Sequence, residues 1–385
     1  MLSKQNFQIR PLPTMFFGVD SSMNLAAHVK SLRRTAALIV TDAGLMASGA
    51  IGPLLEKLQA DEITIDLFDG VEANPTDKNV MAGAERLRKL GDAVLIAIGG
   101  GSSMDCGKAI ALLAPNGGSF AQLQAAPPKQ PGVPVIAVAT TAGTGSETNF
   151  ACVITNTELG RKTYVMHPSI TPAISVLDPK LTLGLPRYPT ATCGFDVLTH
   201  AIEAFTSTRT TPYSDAIALE AIRITSRFLR PVVANGADLE ARSQMMLASS
   251  MAAIAFNVSG LGAAHGTGHA LSARLNAAHG QTLATMLPHI MEFNLEVRAA
   301  KYAEVAAAMG VANAAASIEQ NARAAIAEVV KLRADIGINK TIRDLGGTDA
   351  LLPLLVGDAG LDGVNMTNPR KPDAAAFEAL YRAAW

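Results

Sequence analysis

Strand signals crowd the first half of this chain and then stop, and that asymmetry limits the fold more than any single residue does. Residues 36–41 form a short apolar run ending at Asp42, residues 63–68 alternate polar and apolar, and residues 93–98 and 133–139 are apolar throughout. Residues 80–90 have helical spacing, with Asp77 near their start. Apolar runs separated by helical stretches predict a parallel sheet covered on both faces. Residues 150–154 and 162–167 flank a turn at 156–160 and predict a hairpin, and residues 174–177 read as one more strand. The stretch 115–134 is rich in Pro, Gly and Gln and reads as an excursion or lid. Beyond about residue 182 strand signals nearly vanish. Helices are predicted at 190–208, 213–234, 239–257, 259–276, 283–297, 299–309 and 315–336, with a loop at 365–370 before a final amphipathic helix. A chain of 385 residues is too long for one ordinary core. The expectation is a Rossmann-like α/β domain over 1–182 and an all-helical domain over 183–385.

Gly99, Gly100, Gly101, Ser102 and Ser103 follow directly on the apolar run 93–98 and precede a helix expected to begin near Ser103. Glycines let backbone amides approach a phosphate, and a helix N-terminus adds free N–H groups and partial positive charge. Either serine could cap that helix. A second polar turn, Thr140 to Glu147, follows the run 133–139. Two such turns at strand C-terminal ends predict a ligand crevice, with a dinucleotide as its occupant. The order differs from the usual fingerprint, because the acid at a strand end, Asp42, comes before the glycines. Asp42 could hold a ribose diol and repel a 2′-phosphate, or serve only as a cap before Ala43 and Gly44.

Four of the seven histidines fall in two segments. Asp196 and His200 are four apart, as are His265 and His269, and His279 follows beside Gly280. On a helix each pair shares a face. One carboxylate and several imidazoles suit Fe²⁺ or Zn²⁺, although the same spacing also serves an ordinary side-chain hydrogen bond. Both pairs lie in apolar, Gly- and Ala-rich stretches, where unpaired polar groups are costly. Glu203, just past His200, reads either as a support for a metal ligand or as part of a helix salt bridge.

Taken together these blocks resemble the iron-containing (group III) alcohol dehydrogenase family. The resemblance is carried by Thr41-Asp42, Asn74-Pro75-Thr76, the Gly99 to Ser102 turn with Asp105 and Lys108, Thr140 to Thr144, Asp178-Pro179, the Gly194 to Glu203 segment, Gly262 to His265 with His269, His279-Gly280, Leu287 to His289, and Asn368-Pro369-Arg370. It spans essentially the whole chain. It implies a dehydroquinate-synthase-like architecture, an α/β dinucleotide domain and a helical domain with the active site between them. It implies a metal-dependent NAD(H)-linked dehydrogenase or reductase of small primary alcohols, diols or their aldehydes. By that likeness Asp196, His200, His265 and His279 are the metal ligands, and His269 acts near the reacting centre. Asp42 resembles the selector for NAD over NADP, and Asn74, Gly99, Gly100, Gly101, Ser102, Ser103, Thr140, Thr141 and Lys162 resemble cofactor contacts. Phe150, Phe256 and Leu261 resemble positions lining the nicotinamide and substrate cavity. The chain departs from the family at Gly266, where alanine is common, at Ser272, where glycine is frequent, at residues 275–278, and in the lid. Maleylacetate reductase, dehydroquinate synthase and glycerol dehydrogenase share the architecture and stand as alternatives.

The remaining composition is mainly exclusive. A net charge of −1 with no basic block argues against nucleic acid or an anionic membrane as partner. No apolar run reaches the length of a membrane span, and the N-terminus lacks the apolar core of a signal peptide. Cys106, Cys152 and Cys193 are too few and too scattered for a disulfide framework or a Cys₄ zinc site, and fit a reducing cytoplasm as small buried hydrophobes. The resemblance implies a homodimer or larger homo-oligomer.

Overall fold

A computed structural model of the chain describes residues 6–385. It divides into two compact units: Pro11–Gly184, and Leu185–Trp385 together with residues 6–10.

The first unit holds eight strands: β1 (Thr14–Phe17), β2 (Ala36–Val40), β3 (Thr64–Phe68), β4 (Val94–Gly99), β5 (Val135–Ala139), β6 (Ala151–Asn156), β7 (Arg161–Met166) and β8 (Ile174–Leu177). Six form a sheet in the order β1-β8-β5-β4-β2-β3, with every pairing parallel. β6 and β7 form the separate antiparallel hairpin. The central strands β4 and β5 are buried throughout, which is why their sequences do not alternate. One face of the sheet (Ile39, Ile96, Ile98, Val138 and Val176) packs with Leu25, Val29, Leu54 and Leu58 from the helices Leu25–Ser31 and Gly52–Ala60. The opposite face of β4 meets the helix Gly101–Asn116 at Gly107, where a Cβ would lie 2.9 Å from Ala97 Cβ.

From β2 the chain steps outward to β3, then returns to the far side of β2 as β4 and continues to β5. The carboxyl ends of β2 and β4 are therefore neighbours whose loops diverge, the position at which open α/β sheets leave a crevice.

Several local expectations need correction. The helix expected at 80–90 runs Asp77–Leu90, and its cap is Thr76, in a reciprocal capping box with Asn79. The lid contains a helix, Phe120–Ala125, started by a second box between Ser119 and Gln122. Asn116 closes the rest of that segment by accepting from the amides of Lys129 and Gln130 at 2.7 and 2.9 Å. β1 had no sequence signal.

The second unit is helical: Arg187–Thr206, Pro212–Ala234, Leu239–Ser259, Ala263–Leu275, His279–Ala308, Ile318–Asp335, Leu352–Leu361 and Ala374–Ala383. The two helices expected at 283–297 and 299–309 are one, broken at Arg298 (φ −135°, ψ 15°), whose Nε donates to the carbonyl of Thr206 at 2.8 Å. Among the described residues no single helix is long and apolar enough to cross a membrane.

Candidate metal centre and dinucleotide turn

In the helical unit three helices bring their ends and faces to one carboxylate. Asp196 and His200 lie one turn apart on Arg187–Thr206, His265 stands in the first turn of Ala263–Leu275, and His279 begins His279–Ala308. His279 can approach because Gly280 follows it: a Cβ at Gly280 would lie 2.0 Å from the carbonyl oxygen of Thr192. The Nε2 atoms of His200, His265 and His279 stand 3.3, 3.5 and 3.9 Å from Asp196 Oδ1. Asp196, His265 and His279 offer donor atoms all within 4.8 Å of one another.

This donor set fits a divalent ion. Donors sharing one ion at about 2.1 Å lie roughly 3.4 Å apart in a tetrahedral arrangement. Asp196 Oδ1 and His265 Nε2 are both buried, and neither has a hydrogen-bond partner. Two orphaned acceptors facing one another in a dry site are costly unless a cation joins them. Burial alone would push the Asp196 carboxyl up, but His200, His265 and His279 outweigh it and hold it below the usual carboxylate range. Burial likewise works to lower His265. Glu203 and Asp196 overcome it and push the imidazole up to about 9.

Glu203 resolves the choice left by its sequence position. Its Oε2 lies 2.6 Å from His265 Nδ1, and its Oε1 accepts from the amide of Ala264 at 2.7 Å. It therefore fixes the His265 ring with Nε2 turned toward Asp196. His269 stands beside this group. Its ring stacks on His279 (5.2 Å, 18°), and its Nδ1 lies 2.7 Å from Asp362 Oδ2. Asp362 was missed by sequence reasoning: it is 93 residues from its partner, and Asp362-Gly363 looks like an ordinary turn. Phe256 lies against the His200 ring at 4.7 Å. Leu261 sits in the turn before Ala263–Leu275, where its carbonyl accepts from Thr367 Oγ1. Gly266 has a local reason: a Cβ there would meet Asn365 Oδ1 at 2.2 Å.

In the sheet unit the residues singled out gather at the carboxyl ends of β2, β4 and β5. Asp42 does cap the helix Ala43–Ala47, its Oδ1 accepting from the Leu45 amide at 2.9 Å. Its Oδ2 is turned toward Gly99, 3.7 Å from where a Cβ would be. Gly99 has φ +152°, and a Cβ there would strike Ser103 Oγ at 2.5 Å. Cβ atoms at Gly100 and Gly101 would meet the side chains of Thr141, at 3.2 Å, and Thr144, at 2.6 Å. The Thr140 amide donates to the Gly99 carbonyl at 3.0 Å.

The expectation that Ser102 or Ser103 caps the following helix is wrong. The helix begins at Gly101 with Gly100 as its uncapped N-cap, and Ser102 Oγ instead donates to the carbonyl of Ala73 at 2.6 Å. Ser103 Oγ is buried without a partner. A helix start with no side-chain cap, a lining of glycines and an orphaned hydroxyl suit a phosphate group. Asn74 follows Ala73 in that same clamp. Pro75 accepts from the Thr155 amide at 2.8 Å, and Thr155 is paired with Lys162 across the hairpin, which brings Lys162 toward the same strand end. Phe150 precedes β6, its carbonyl accepting from the His167 amide.

Behind this surface, Lys108 is buried, with Nζ 2.8 Å from Asn149 Oδ1, 3.0 Å from the Ser146 carbonyl and 3.3 Å from Asp105 Oδ1. Asp105 in turn accepts from Ser146 Oγ and from the Val153 amide. This network anchors the second turn and the hairpin to the helix that follows the glycines. The three cysteines are free thiols, and burial pushes Cys152 and Cys193 up to about 12, so they remain protonated.

Comparison with known proteins follows the same division. A family model described as iron-containing alcohol dehydrogenase matches residues 13–179, and one described as the Fe-containing alcohol dehydrogenase family, C-terminal, matches residues 190–385. A 1,3-propanediol dehydrogenase of Citrobacter freundii is 39% identical over 375 residues, covering 96% of each chain. An NAD-dependent methanol dehydrogenase of Bacillus methanolicus is 33% identical over 359 residues, covering 93% of this chain and 94% of that one. A crystal structure of 1,3-propanediol oxidoreductase superposes with a TM-score of 0.94 at 38% identity, covering 99% of this chain and 100% of that one.

Proposed function

This chain belongs to the iron-containing alcohol dehydrogenase family, and from that premise we propose that Asp196, His200, His265 and His279 hold its metal and that His269 carries the substrate proton. The enzyme is an NAD-linked, metal-dependent oxidoreductase of small alcohols and aldehydes. The observation that carries the ligand assignment is the meeting of three imidazole Nε2 atoms on one buried, orphaned carboxylate oxygen. When bound, an iron-type ion draws charge from a substrate oxygen, and NAD(H) carries the hydride.

The chain's own residues do the rest. Glu203 orients His265. Phe256 and Leu261 supply apolar wall beside the imidazoles. In the oxidative direction His269 Nε2 would take the proton of the alcohol O–H as that bond breaks, and bound NAD⁺ would take the hydride from the adjacent carbon, leaving an aldehyde or ketone. In the sheet unit Gly99, Gly100, Gly101, Ser103 and the free amides of the helix start hold the pyrophosphate. Asp42 Oδ2 holds the adenosine ribose and disfavours a 2′-phosphate. Asn74, Ser102, Thr140, Thr141, Phe150 and Lys162 complete the cofactor contacts.

The diol named in one relative and the methanol named in another mark short, unbranched, uncharged substrates as the class to try first. The test is metal analysis of anaerobically purified protein, coupled to NADH formation from primary alcohols and diols. Turnover that follows metal content supports the reading, and equal turnover after complete chelation removes it.

A homodimer is also proposed. β1 ends the sheet and exposes Phe16 and Phe17, at 39% and 46%, on an edge that would otherwise invite uncontrolled pairing. Light scattering that gives a monomer mass would contradict it.

A further inference from the structure

We propose that Asp362 is a positioning residue for His269, fixing its ring as the Nδ1–H tautomer so that Nε2 is the nitrogen that accepts the substrate proton. The inference rests on the reading of His269 given above and deepens it.

Four observations converge. First, His269 Nδ1 and Asp362 Oδ2 are 2.7 Å apart, with side-chain exposures of 14% and 9%, so little water competes for either group. Second, the carboxylate is itself held, because Asp362 Oδ1 accepts from the Val364 amide at 3.1 Å as the short helix Gly363–Thr367 begins. Third, the turn carrying Asp362 is pinned at both ends. Asn365 Nδ2 donates to the carbonyls of Ala359 and Asp362 at 2.6 and 2.9 Å, and Thr367 Oγ1 donates to the Leu261 carbonyl. Fourth, Gly266 leaves room for the Asn365 side chain, three residues before His269 on the same helix face. The turn is thus registered on its helix twice, by close approach at Gly266 and by the hydrogen bond at His269.

The chemistry follows from the donor inventory. A carboxylate oxygen accepts, so the Nδ1 facing it donates; a neutral imidazole with Nδ1–H can accept a proton only at Nε2. Without Asp362 the ring is free to carry its hydrogen on either nitrogen and to swing between the His279 and His265 rings it now contacts.

A double-mutant cycle in the metal-loaded enzyme tests this, with 1,3-propanediol and NAD⁺ as substrates. Asp362→Ala should lower kcat about 10- to 100-fold, as loss of a ring-orienting partner does, with metal content and KM for NAD⁺ unchanged. In a His269→Ala background the same change should cost nothing further. A second variant guards against a failure to fold. Asp362→Asn keeps the shape but offers one acceptor oxygen to two donors, the Val364 amide and His269 Nδ1–H, so it should lose kcat while remaining folded and metallated. Equal losses from Asp362→Ala with and without His269 would overturn the inference, since Asp362 would then act through the turn alone. So would unimpaired turnover in Asp362→Asn. Full activity of His269→Ala by itself would instead sink the reading of His269, and with it the role of Asp362.

Discussion

The atoms that converge in the helical unit belong to side chains, whereas those lining the turn in the sheet unit are mostly main chain. Around Asp196 every donor is an imidazole or carboxylate carried on one of three helices, and support comes from a further side chain, Glu203. Around Gly99, Gly100 and Gly101 the functional groups are amides at a helix start, and what matters about the side chains is their absence. A side-chain site fails when an atom is removed. A main-chain site fails when one is added. The contrast also sets what each region tolerates: the metal centre has no slack in residue identity, while the turn has none in volume.

The largest expected effect is at the first kind of site. His265→Ala deletes a donor and leaves both Glu203 and Asp196 as buried carboxylates without their shared imidazole. Turnover should fall by about 10³-fold or more, because the ion's contribution of several kcal/mol is lost with its ligand. Steady-state rates together with far-ultraviolet circular dichroism check that the fold survives. Normal rates with metal still bound would break the contrast at its stronger end.

Next is the reverse operation. Gly99→Ala adds one methyl where φ is +152° and Ser103 Oγ would be 2.5 Å away. Backbone strain of about 1–3 kcal/mol should appear as a rise of roughly 10- to 100-fold in KM for NAD⁺, with metal content untouched. If KM stays level while metal is lost, the turn has been assigned the wrong ligand.

The smallest effect belongs to a side chain at the main-chain site. Asp42→Gly should shift the NAD-to-NADP preference by about tenfold and also loosen the short helix that Asp42 caps. Comparing kcat/KM for the two cofactors decides it; an unchanged ratio would leave Asp42 as a cap alone.

The same contrast governs what could be read from the sequence. The buried strands β2, β4 and β5 were legible because burial on both faces writes continuous apolar runs. β1 was not, because four residues with one strand neighbour, β8, more than a hundred positions away carry no period of their own. The helix inside the presumed lid was hidden by the Pro and Gly around it, although its Ser119 and Gln122 capping box was there to find. His200, His265 and His279 stood out because histidine is scarce and these sit in apolar stretches. Asp362 did not, since an acid before a glycine is common on any surface and only the folded turn brings it to His269. Ser102 misled for a related reason: a serine at a helix start is usually a cap, but this one is drawn off to the Ala73 carbonyl.

The account stands on the ion itself. Metal content of anaerobically purified protein, measured by mass spectrometry beside that of Asp196→Asn with matched circular dichroism, tests it most directly. The prediction is one iron-type ion per wild-type chain and almost none in the folded variant. Equal metal in the two proteins would contradict it.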